Sequence, residues 1–391
     1  MSDDSVGVYA HVPFCERVCP YCDFAVVAAR RLSPGQETGY VDALLSELER
    51  RAEAFAGRQL ASLYLGGGTP SLLRPASVAR IIRAVQQTFD AAGPVELTLE
   101  ANPGSLERQR LPEFRAAGVN RISMGVQSFD DTTLKRLGRA HRATEARLAL
   151  EAAREAGFDE ISLDLILAAP GQAFEAFERD LEEAVGFAPE HVSLYELSIE
   201  PGTPFALADL RGQLRRPNEA AVVAMLEWAE QRLAAAGYAR YELSNFARPG
   251  FEAVHNRRYW ERRPVLGLGV GAVSSDPPSN AAPFGVRRQN TRDLQRYLDC
   301  SARGESAEDR DAEVFDAATA RGEAVFLALR TARGLDSAHF SDEFGSPPRG
   351  FWDASIDELL GRGLLEEEPG GDLRLTARGR LLSDSVFQYF V

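Results

Sequence analysis

Three cysteines near the start of the chain have the side chains and the spacing for metal-cluster chemistry. Cys15, Cys19 and Cys22 form a C-x3-C-x2-C motif, whereas the fourth cysteine, Cys300, lies far along the sequence. Three thiolates on one short loop can bind three irons of a cubane cluster and leave the fourth iron open to a small chelating ligand. The motif therefore predicts a [4Fe-4S] cluster with one iron that has no protein ligand.

Other uses of three clustered cysteines fit less well. A disulfide would leave one cysteine over and would need an oxidising compartment, and no signal peptide is recognised ahead of the motif. A structural zinc ion usually takes four protein ligands, but the nearby position for a fourth thiolate is Phe24. A zinc ion completed by a distant ligand remains the alternative, and we expect Cys300 to be an ordinary buried cysteine.

The residues around the cysteines extend the motif to Y-x-H-x-P-F-C-x3-C-x-Y-C-D-F over positions 9–24. This stretch resembles the signature of the radical S-adenosylmethionine (SAM) superfamily. It is most similar to the branch that contains the oxygen-independent coproporphyrinogen III dehydrogenases (HemN) and the heme chaperones (HemW). The resemblance implies that the open iron of the cluster binds the amino and carboxylate groups of SAM. It also implies an electron donor, such as a flavodoxin or a ferredoxin, if SAM is cleaved.

The elements that must position this loop alternate between strands and helices. Each strand-like apolar run is followed by a stretch with helical periodicity, and the predicted strands cover residues 6–12, 60–65, 95–99, 121–126, 161–165 and 191–197. Such alternation predicts a parallel sheet with helical crossovers, and six units rather than eight indicate an open barrel. We therefore predict an α/β fold, a partial (β/α)6 barrel, which the resemblance to radical SAM proteins implies as well.

Polar residues follow the predicted strands one after another. The glycine run at 66–68 with Thr69, then Glu100, Gln127 and Asp164, stand at successive strand ends, and these ends meet on one rim of a parallel sheet. Carried over residue by residue, the resemblance implies SAM contacts from Tyr9, Tyr21, Gly67, Gly68, Thr69, Glu100, Gln127, Arg139 and Asp164. One departure is Ala168, where similar proteins usually have glycine.

A second motif, H-N-x-x-Y-W, begins at His255 and ends at Trp260. From the residues alone we expect a loop held by side-chain hydrogen bonds and packed by Trp260. The resemblance instead implies a role for this region in heme binding. Because a neutral imidazole is a good axial ligand for heme iron, His255 is the candidate heme ligand.

Composition and charge limit the remaining possibilities. The chain has 391 residues and a net charge of −14, which argues against broad affinity for nucleic acid. We predict a barrel with its extension over residues 1–300, a linker over 301–312 and a winged-helix-like α+β domain over 313–391. No apolar run reaches the length of a membrane span, so a cytoplasmic protein is expected. Homodimerisation and peripheral membrane association stay open.

Position 24 separates the functions that the resemblance allows. Coproporphyrinogen dehydrogenases of this branch have a further cysteine where this chain has Phe24. The leading hypothesis is therefore a heme chaperone that binds heme, a [4Fe-4S] cluster and SAM, and transfers heme to an acceptor protein. The alternatives are a dehydrogenase that decarboxylates coproporphyrinogen III to protoporphyrinogen IX, and an interaction protein with a vestigial cluster.

Overall fold

The computed structural model describes residues 4–29, 32–91, 93–309 and 312–391. The first part of the chain contains β1 (Ser5–Val12), β2 (Phe14–Cys15), β3 (Val27–Ala28), α1 (Pro34–Arg51), β4 (Gln59–Gly67), α2 (Pro75–Thr88), β5 (Glu96–Ala101), α3 (Ser105–Ala116), β6 (Arg121–Gln127), α4 (Asp131–Arg136), α5 (Ala143–Glu155), β7 (Glu160–Leu167), α6 (Phe174–Gly186) and β8 (His191–Glu196). Two 3-10 turns cover Ala52–Phe55 and Pro70–Leu72.

The second part of the chain contains shorter elements. They are α7 (Pro204–Leu210), α8 (Glu219–Ala235), β9 (Ala239–Arg240), β10 (Asn245–Ala247), α9 (Val254–Trp260), β11 (Val265–Leu268), β12 (Val273–Asp276), β13 (Val286–Gln289) and α10 (Leu294–Ala302). The last segment contains β14 (Glu313–Val314), α11 (Ala317–Leu329), α12 (Ser337–Phe344), α13 (Arg349–Gly361), β15 (Leu365–Glu367), β16 (Leu373–Leu375), α14 (Ala377–Leu381) and α15 (Ser383–Phe387).

The predicted strands form the centre of one sheet and lie side by side in chain order, β1-β4-β5-β6-β7-β8, all parallel. Their outward side chains pack under the crossover helices in one continuous apolar core. The sheet is open, because its strand order runs from β14 at one edge to β9 at the other. The prediction of a partial (β/α)6 barrel is confirmed.

The segment after the sixth strand extends both edges of this sheet to a total of 12 strands. Strand β11 lies parallel to β1, with Gly7 opposite Val265, and β12, β13 and β14 follow it as antiparallel strands. At the other edge β10 pairs antiparallel with β8, and β9 pairs with β10. The two edge strands of the six-stranded centre are thus both paired.

A second apolar cluster lies near the carboxyl end of the chain. It joins α11, α12, α13 and α15 to the β15–β16 hairpin through side chains such as Val325, Ile356, Leu373 and Phe387. This arrangement of helices and one hairpin agrees with the predicted winged-helix-like α+β fold. The structure also places helices at α7 and α12, where the sequence did not lead us to expect them.

His255 was expected on a loop, but it lies in the helix α9, because backbone donors at the start of that helix are bound by a distant carboxylate described below. Of the predicted linker, Arg310 and Asp311 lie outside the described residues, while the carbonyl of Ala307 accepts from the Thr291 amide at 2.8 Å. The domain boundaries stay a prediction. Among the described residues, no helix combines the length and the apolar character needed to cross a bilayer.

Candidate functional site

A cavity of about 480 Å³ lies inside the barrel and reaches its rim at the carboxyl ends of the strands. All three motif cysteines line it, together with every predicted SAM-contacting residue except Tyr9: Tyr21, Gly67, Gly68, Thr69, Glu100, Gln127, Arg139 and Asp164. These residues come from widely separated parts of the sequence. The parallel sheet brings them together because they lie on its strands, as Asp164 does within β7, or on the segments that follow the carboxyl ends of those strands.

The cysteine loop presents its sulfurs beside hydrogen-bond donors. Cys15 ends β2, and a turn brings the amide of Cys22 to 3.1 Å from the carbonyl of Cys19. The Thr69 hydroxyl lies 3.7 Å from the Cys15 sulfur and Nη1 of Arg139 lies 3.6 Å from the Cys19 sulfur. Burial raises the pKa of the Cys15 thiol to about 11. Binding a metal cluster must therefore displace a proton from this thiol.

The glycine run needs its glycines because it passes against the base of the cysteine loop. Gly67 has a φ of +107°, and a Cβ there would lie 2.4 Å from the ring of His11. A Cβ on Gly68 would lie 2.8 Å from the carbonyl oxygens of Val12 and Phe14. Only glycine fits both positions without moving the neighbours.

Two carboxyl groups inside the cavity are held by hydrogen bonds. Oε2 of Glu100 accepts from the Gly67 amide at 2.9 Å, and Oε1 accepts from the Tyr64 hydroxyl at 2.8 Å. Burial raises the pKa of Glu100 to about 7, and burial likewise raises the pKa of Asp164 to about 6, although the Ser123 hydroxyl donates to Asp164 at 3.3 Å. Their oxygens can accept hydrogen bonds from the hydroxyl or ammonium groups of a ligand.

Two residues at this rim have left-handed backbone conformations without being glycine. Gln127, which ends β6, has a φ of +67°, and Ala168 has a φ of +61°. Non-glycine residues in this region are strained and cluster at functional sites. Similar proteins usually have glycine at position 168, and glycine adopts this conformation more easily than alanine does. The backbone of Ala168 is nevertheless left-handed.

Tyr9 and His255 do not line the large cavity. Tyr9 lines a smaller cavity of about 280 Å³ beside the cysteine loop, and its hydroxyl lies 3.0 Å from Nδ1 of His11. His255 is 1% exposed and lies below the cavity, where both of its ring nitrogens have hydrogen-bond partners. The roles assigned to these two residues stay predictions.

Several wall residues were not predicted. Asn102 donates to Thr69 at 2.8 Å and accepts from Arg139. Side chains two residues apart in a strand point to the same face, so the position of Asn102 relative to Glu100 could have identified it. His191 lines the cavity, and its Nδ1 lies 2.8 Å from the Ser162 hydroxyl. Arg121 lines the same wall, and no signal in the sequence distinguished it from a surface arginine.

Comparisons with known proteins agree with this architecture. The model of the radical SAM superfamily matches residues 9–184, and that of the HemN C-terminal domain matches residues 316–382. The heme chaperone HemW of Lactococcus lactis is 34% identical over 98% of this chain and 97% of its own length. The heme chaperone HemW of Bacillus subtilis is 32% identical over 98% of this chain and 99% of its own length.

The chain belongs to the HemW family of radical SAM proteins. The solved structure of coproporphyrinogen III oxidase (HemN) from Escherichia coli superposes with a TM-score of 0.82 at 24% identity, over 99% of this chain and 90% of that one. At that identity the similarity shows a shared fold. Membership of the radical SAM superfamily implies a [4Fe-4S] cluster and SAM.

The residues of this HemW-family chain fit both cofactors. Three thiols stand at the rim of one cavity, and Thr69 and Arg139 point hydrogen-bond donors at two of the sulfurs, where they can donate to cluster-bound thiolates. Nε of Arg139 is buried and has no hydrogen-bond partner among the described residues. It can therefore donate to a ligand that enters the cavity, and the carboxylate of SAM has the complementary charge.

Proposed function

We propose that this protein is a heme chaperone, which binds heme together with a [4Fe-4S] cluster and SAM and passes the heme to an acceptor protein. The observation that carries this proposal over the dehydrogenase alternative is Phe24. This residue is 68% exposed at the mouth of the large cavity, at the position where the resemblance implies a further cysteine in the dehydrogenases of this branch. The cavity mouth has an aromatic surface in place of that thiol.

The surroundings of Phe24 suit a porphyrin. Val18 is 41% exposed on the same cysteine loop, and Arg17 lines the same mouth. An apolar ring face can pack on Phe24 and Val18, while a guanidinium can pair with a propionate. Heme bound here would be open to solvent on one side, as transfer to another protein requires.

The cofactor-binding residues fall into groups with different roles in this proposal. Cys15, Cys19 and Cys22 hold the cluster, Arg139 and the glycine run orient the methionine end of SAM, and Glu100 and Asp164 accept hydrogen bonds from it. When bound, the cluster can supply the electron that cleaves SAM, and an external flavodoxin or ferredoxin would then replace that electron. We place the protein in the cytoplasm, because this chemistry needs reduced cysteines, and all four cysteines are free thiols.

A paired assay on anaerobically reconstituted protein tests the proposal. One arm titrates heme and follows the Soret band, and saturation near one heme per chain is the expected result. The other arm supplies coproporphyrinogen III, SAM and a reductant, and no protoporphyrinogen is expected. Turnover in the second arm would establish the dehydrogenase in place of the chaperone, and failure of the wild-type protein to bind heme would contradict the chaperone assignment.

Removing one thiol tests the cluster assignment. We expect Cys19→Ser to abolish the four-iron absorption and to reduce bound iron to background, because a hydroxyl is a poor iron ligand at a site built for thiolates. The matched control is Cys300→Ser, a buried cysteine of α10, which should keep the full iron content. An intact four-iron spectrum in Cys19→Ser would remove this cysteine from the set of cluster ligands.

A further inference from the structure

The ring of His255 lies flat inside an aromatic cluster below the large cavity. It stacks on Tyr64 with a centroid distance of 5.2 Å and an interplanar angle of 28°, and on Tyr9 at 6.2 Å and 30°. Tyr9 and Tyr64 also stack on each other at 6.2 Å. Three rings from β1, β4 and α9 therefore fix one another in place.

Hydrogen bonds hold this imidazole on both sides. Nδ1 lies 3.0 Å from the Ser62 hydroxyl and Nε2 lies 3.2 Å from the Tyr259 hydroxyl. In a neutral ring one nitrogen donates and the other accepts, so both are occupied. Burial lowers the pKa of His255 to about 3, and the ring is neutral. In this conformation it offers no free lone pair to an iron atom.

The helix that carries His255 is anchored as firmly as its ring. The carboxylate of Glu96, at the start of β5, accepts from the backbone amides of Val254 at 2.8 Å and His255 at 3.0 Å. This caps the amino end of α9. To bring His255 to the surface, the chain would have to break this cap and both ring hydrogen bonds.

A short series of contacts connects this ring to the predicted SAM site. Tyr64 stacks on His255, and its hydroxyl donates to Glu100 at 2.8 Å. The other oxygen of Glu100 accepts from the amide of Gly67 at 2.9 Å. The position of the Tyr64 ring thus sets the direction of a carboxyl group that both faces the cavity and holds the glycine run.

We propose that His255 is a positioning residue for the SAM site, which acts by fixing the Tyr64 ring and through it Glu100 and Gly67. The inference rests on the proposed binding of SAM in the large cavity. In this arrangement the histidine of the H-N-x-x-Y-W motif lies at the floor of the barrel, and other residues bind heme. His255 touches neither SAM nor heme in this arrangement.

The test compares SAM and heme affinity in the same reconstituted variants. His255→Gln keeps a donor and an acceptor for Ser62 and Tyr259 but removes the flat ring that stacks on Tyr64. Tyr64→Phe keeps the ring but removes the hydroxyl that donates to Glu100. We expect each variant to weaken SAM binding about tenfold by equilibrium dialysis, with unchanged iron content and a heme affinity within twofold of the wild type.

A double variant distinguishes positioning from general loosening. If His255 acts through Tyr64, the two losses of SAM affinity are not multiplicative. The double variant His255→Gln with Tyr64→Phe then binds SAM with about the affinity of whichever single variant binds it more weakly. His339→Gln, which changes an exposed histidine of α12, is the matched control and should alter neither affinity.

Three outcomes would overturn the inference. They are a tenfold loss of heme affinity in His255→Gln with unchanged SAM affinity, multiplicative effects in the double variant, and unchanged SAM affinity in both single variants. Failure of the wild-type protein to bind SAM would instead contradict the proposed function, so the two failures are distinguishable.

Discussion

Glu100 is a buried carboxyl group in the predicted SAM site, where burial favours its neutral form and hydrogen bonds favour its charged form. Burial raises the pKa of its carboxyl group, the hydrogen bond from Tyr64 lowers it, the nearby Asp164 carboxyl raises it again, and the outcome is about 7. A group with this pKa can be neutral or charged near neutral pH. A cationic ligand such as SAM then favours the charged form.

The contribution of Glu100 to the stability of the cofactor-free protein should therefore fall as the pH rises, whereas buried histidines such as His255, with a lowered pKa, contribute in the opposite direction. The folded protein holds the Glu100 proton more tightly than the unfolded chain, so this stabilisation is complete below about 4.5 and is lost as the pH rises through about 7. Because water in the open cavity screens part of the effect, we expect a loss of about 2 kcal/mol in the free energy of unfolding. Urea unfolding of the wild type and of Glu100→Gln at pH 5 and pH 8 measures this contribution as the difference between the two proteins.

Glu100→Gln should remove the Glu100 part of this pH dependence, since an amide does not titrate, and should leave the parts that come from Asp164 and the buried histidines. Glu113→Gln, on the exposed face of α3, is the control and should keep the wild-type dependence. If Glu100→Gln and the wild type lost the same free energy between these two pH values, Glu100 would not be the titrating group.

At the scale of the element, the sequence predicts those strands and site residues that depend on short stretches of neighbouring residues. The apolar runs and the turns that end them predicted all six parallel strands of the barrel, and the residues at their carboxyl ends predicted part of the cavity wall. Asn102 was missed although its signal was present, two residues after Glu100. By contrast, the burial of His255 depends on Ser62, Tyr64 and Glu96, which are distant in sequence, so no local pattern could reveal it.

The strands at the two edges of the sheet show the same limit. Strand β10 has three residues and β11 has four, too few to show an alternation of polar and apolar side chains. Each is held by pairing with a strand far away in sequence, β8 for β10 and β1 for β11. Their position could be known only once the barrel was known.

Helix α1 of the barrel makes hydrogen bonds to the segment that follows the barrel in the sequence. Its buried Glu47 accepts hydrogen bonds from the amide of Gly269 at 2.8 Å, the side-chain amide of Asn290 at 2.6 Å and the hydroxyl of Tyr297 at 2.7 Å. Three donors from three separate places, the end of β11, the end of β13 and α10, thus meet one carboxylate on one helix.

Glu47→Gln should lower the free energy of unfolding by about 2–3 kcal/mol, because the new side-chain amide group faces donors and leaves at least one of them unpaired. Glu49→Gln, on the exposed face of the same helix, is the matched control and should change stability by less than about 0.5 kcal/mol. Urea unfolding of the two variants side by side measures the difference. Equal midpoints would show that this network does not stabilise the fold.

At the scale of the whole molecule, the carboxyl-terminal cluster is joined to the barrel by a few polar contacts. The amide of Ala332 donates to the carbonyl of Tyr241 at 3.0 Å, and Arg380 pairs with Glu230 of α8 at 2.8 Å. The guanidinium of Arg330 lies 4.7 Å above the ring of Trp260. The tryptophan of the H-N-x-x-Y-W motif therefore faces the carboxyl-terminal segment, while its histidine faces the barrel.

Arg262 makes an ionic link in this contact region, and Arg287 of β13 pairs with one of the same carboxylates, Glu323. Arg262 lies two residues after the end of α9. Its guanidinium lies 3.2 Å from the carboxylate of Glu323 in α11 and 2.7 Å from that of Glu343 in α12. Arg262 and Glu323 are both largely buried, with 15% and 14% of the side chain exposed, so this pair is less screened by solvent than a surface pair.

Arg262→Ala should loosen α11 and α12 without unfolding the barrel. Loss of the guanidinium leaves two carboxylates without this partner and should speed amide hydrogen exchange in both helices about tenfold, equivalent to about 1.4 kcal/mol of local stability. The strands β4 to β8 should keep their wild-type exchange. Arg303→Ala breaks an exposed pair with Glu305, in which 55% and 56% of the side chains are accessible, and should leave α11 unchanged. Wild-type exchange in α11 and α12 of Arg262→Ala would show that the ion pairs of Arg262 do not stabilise these helices on the barrel.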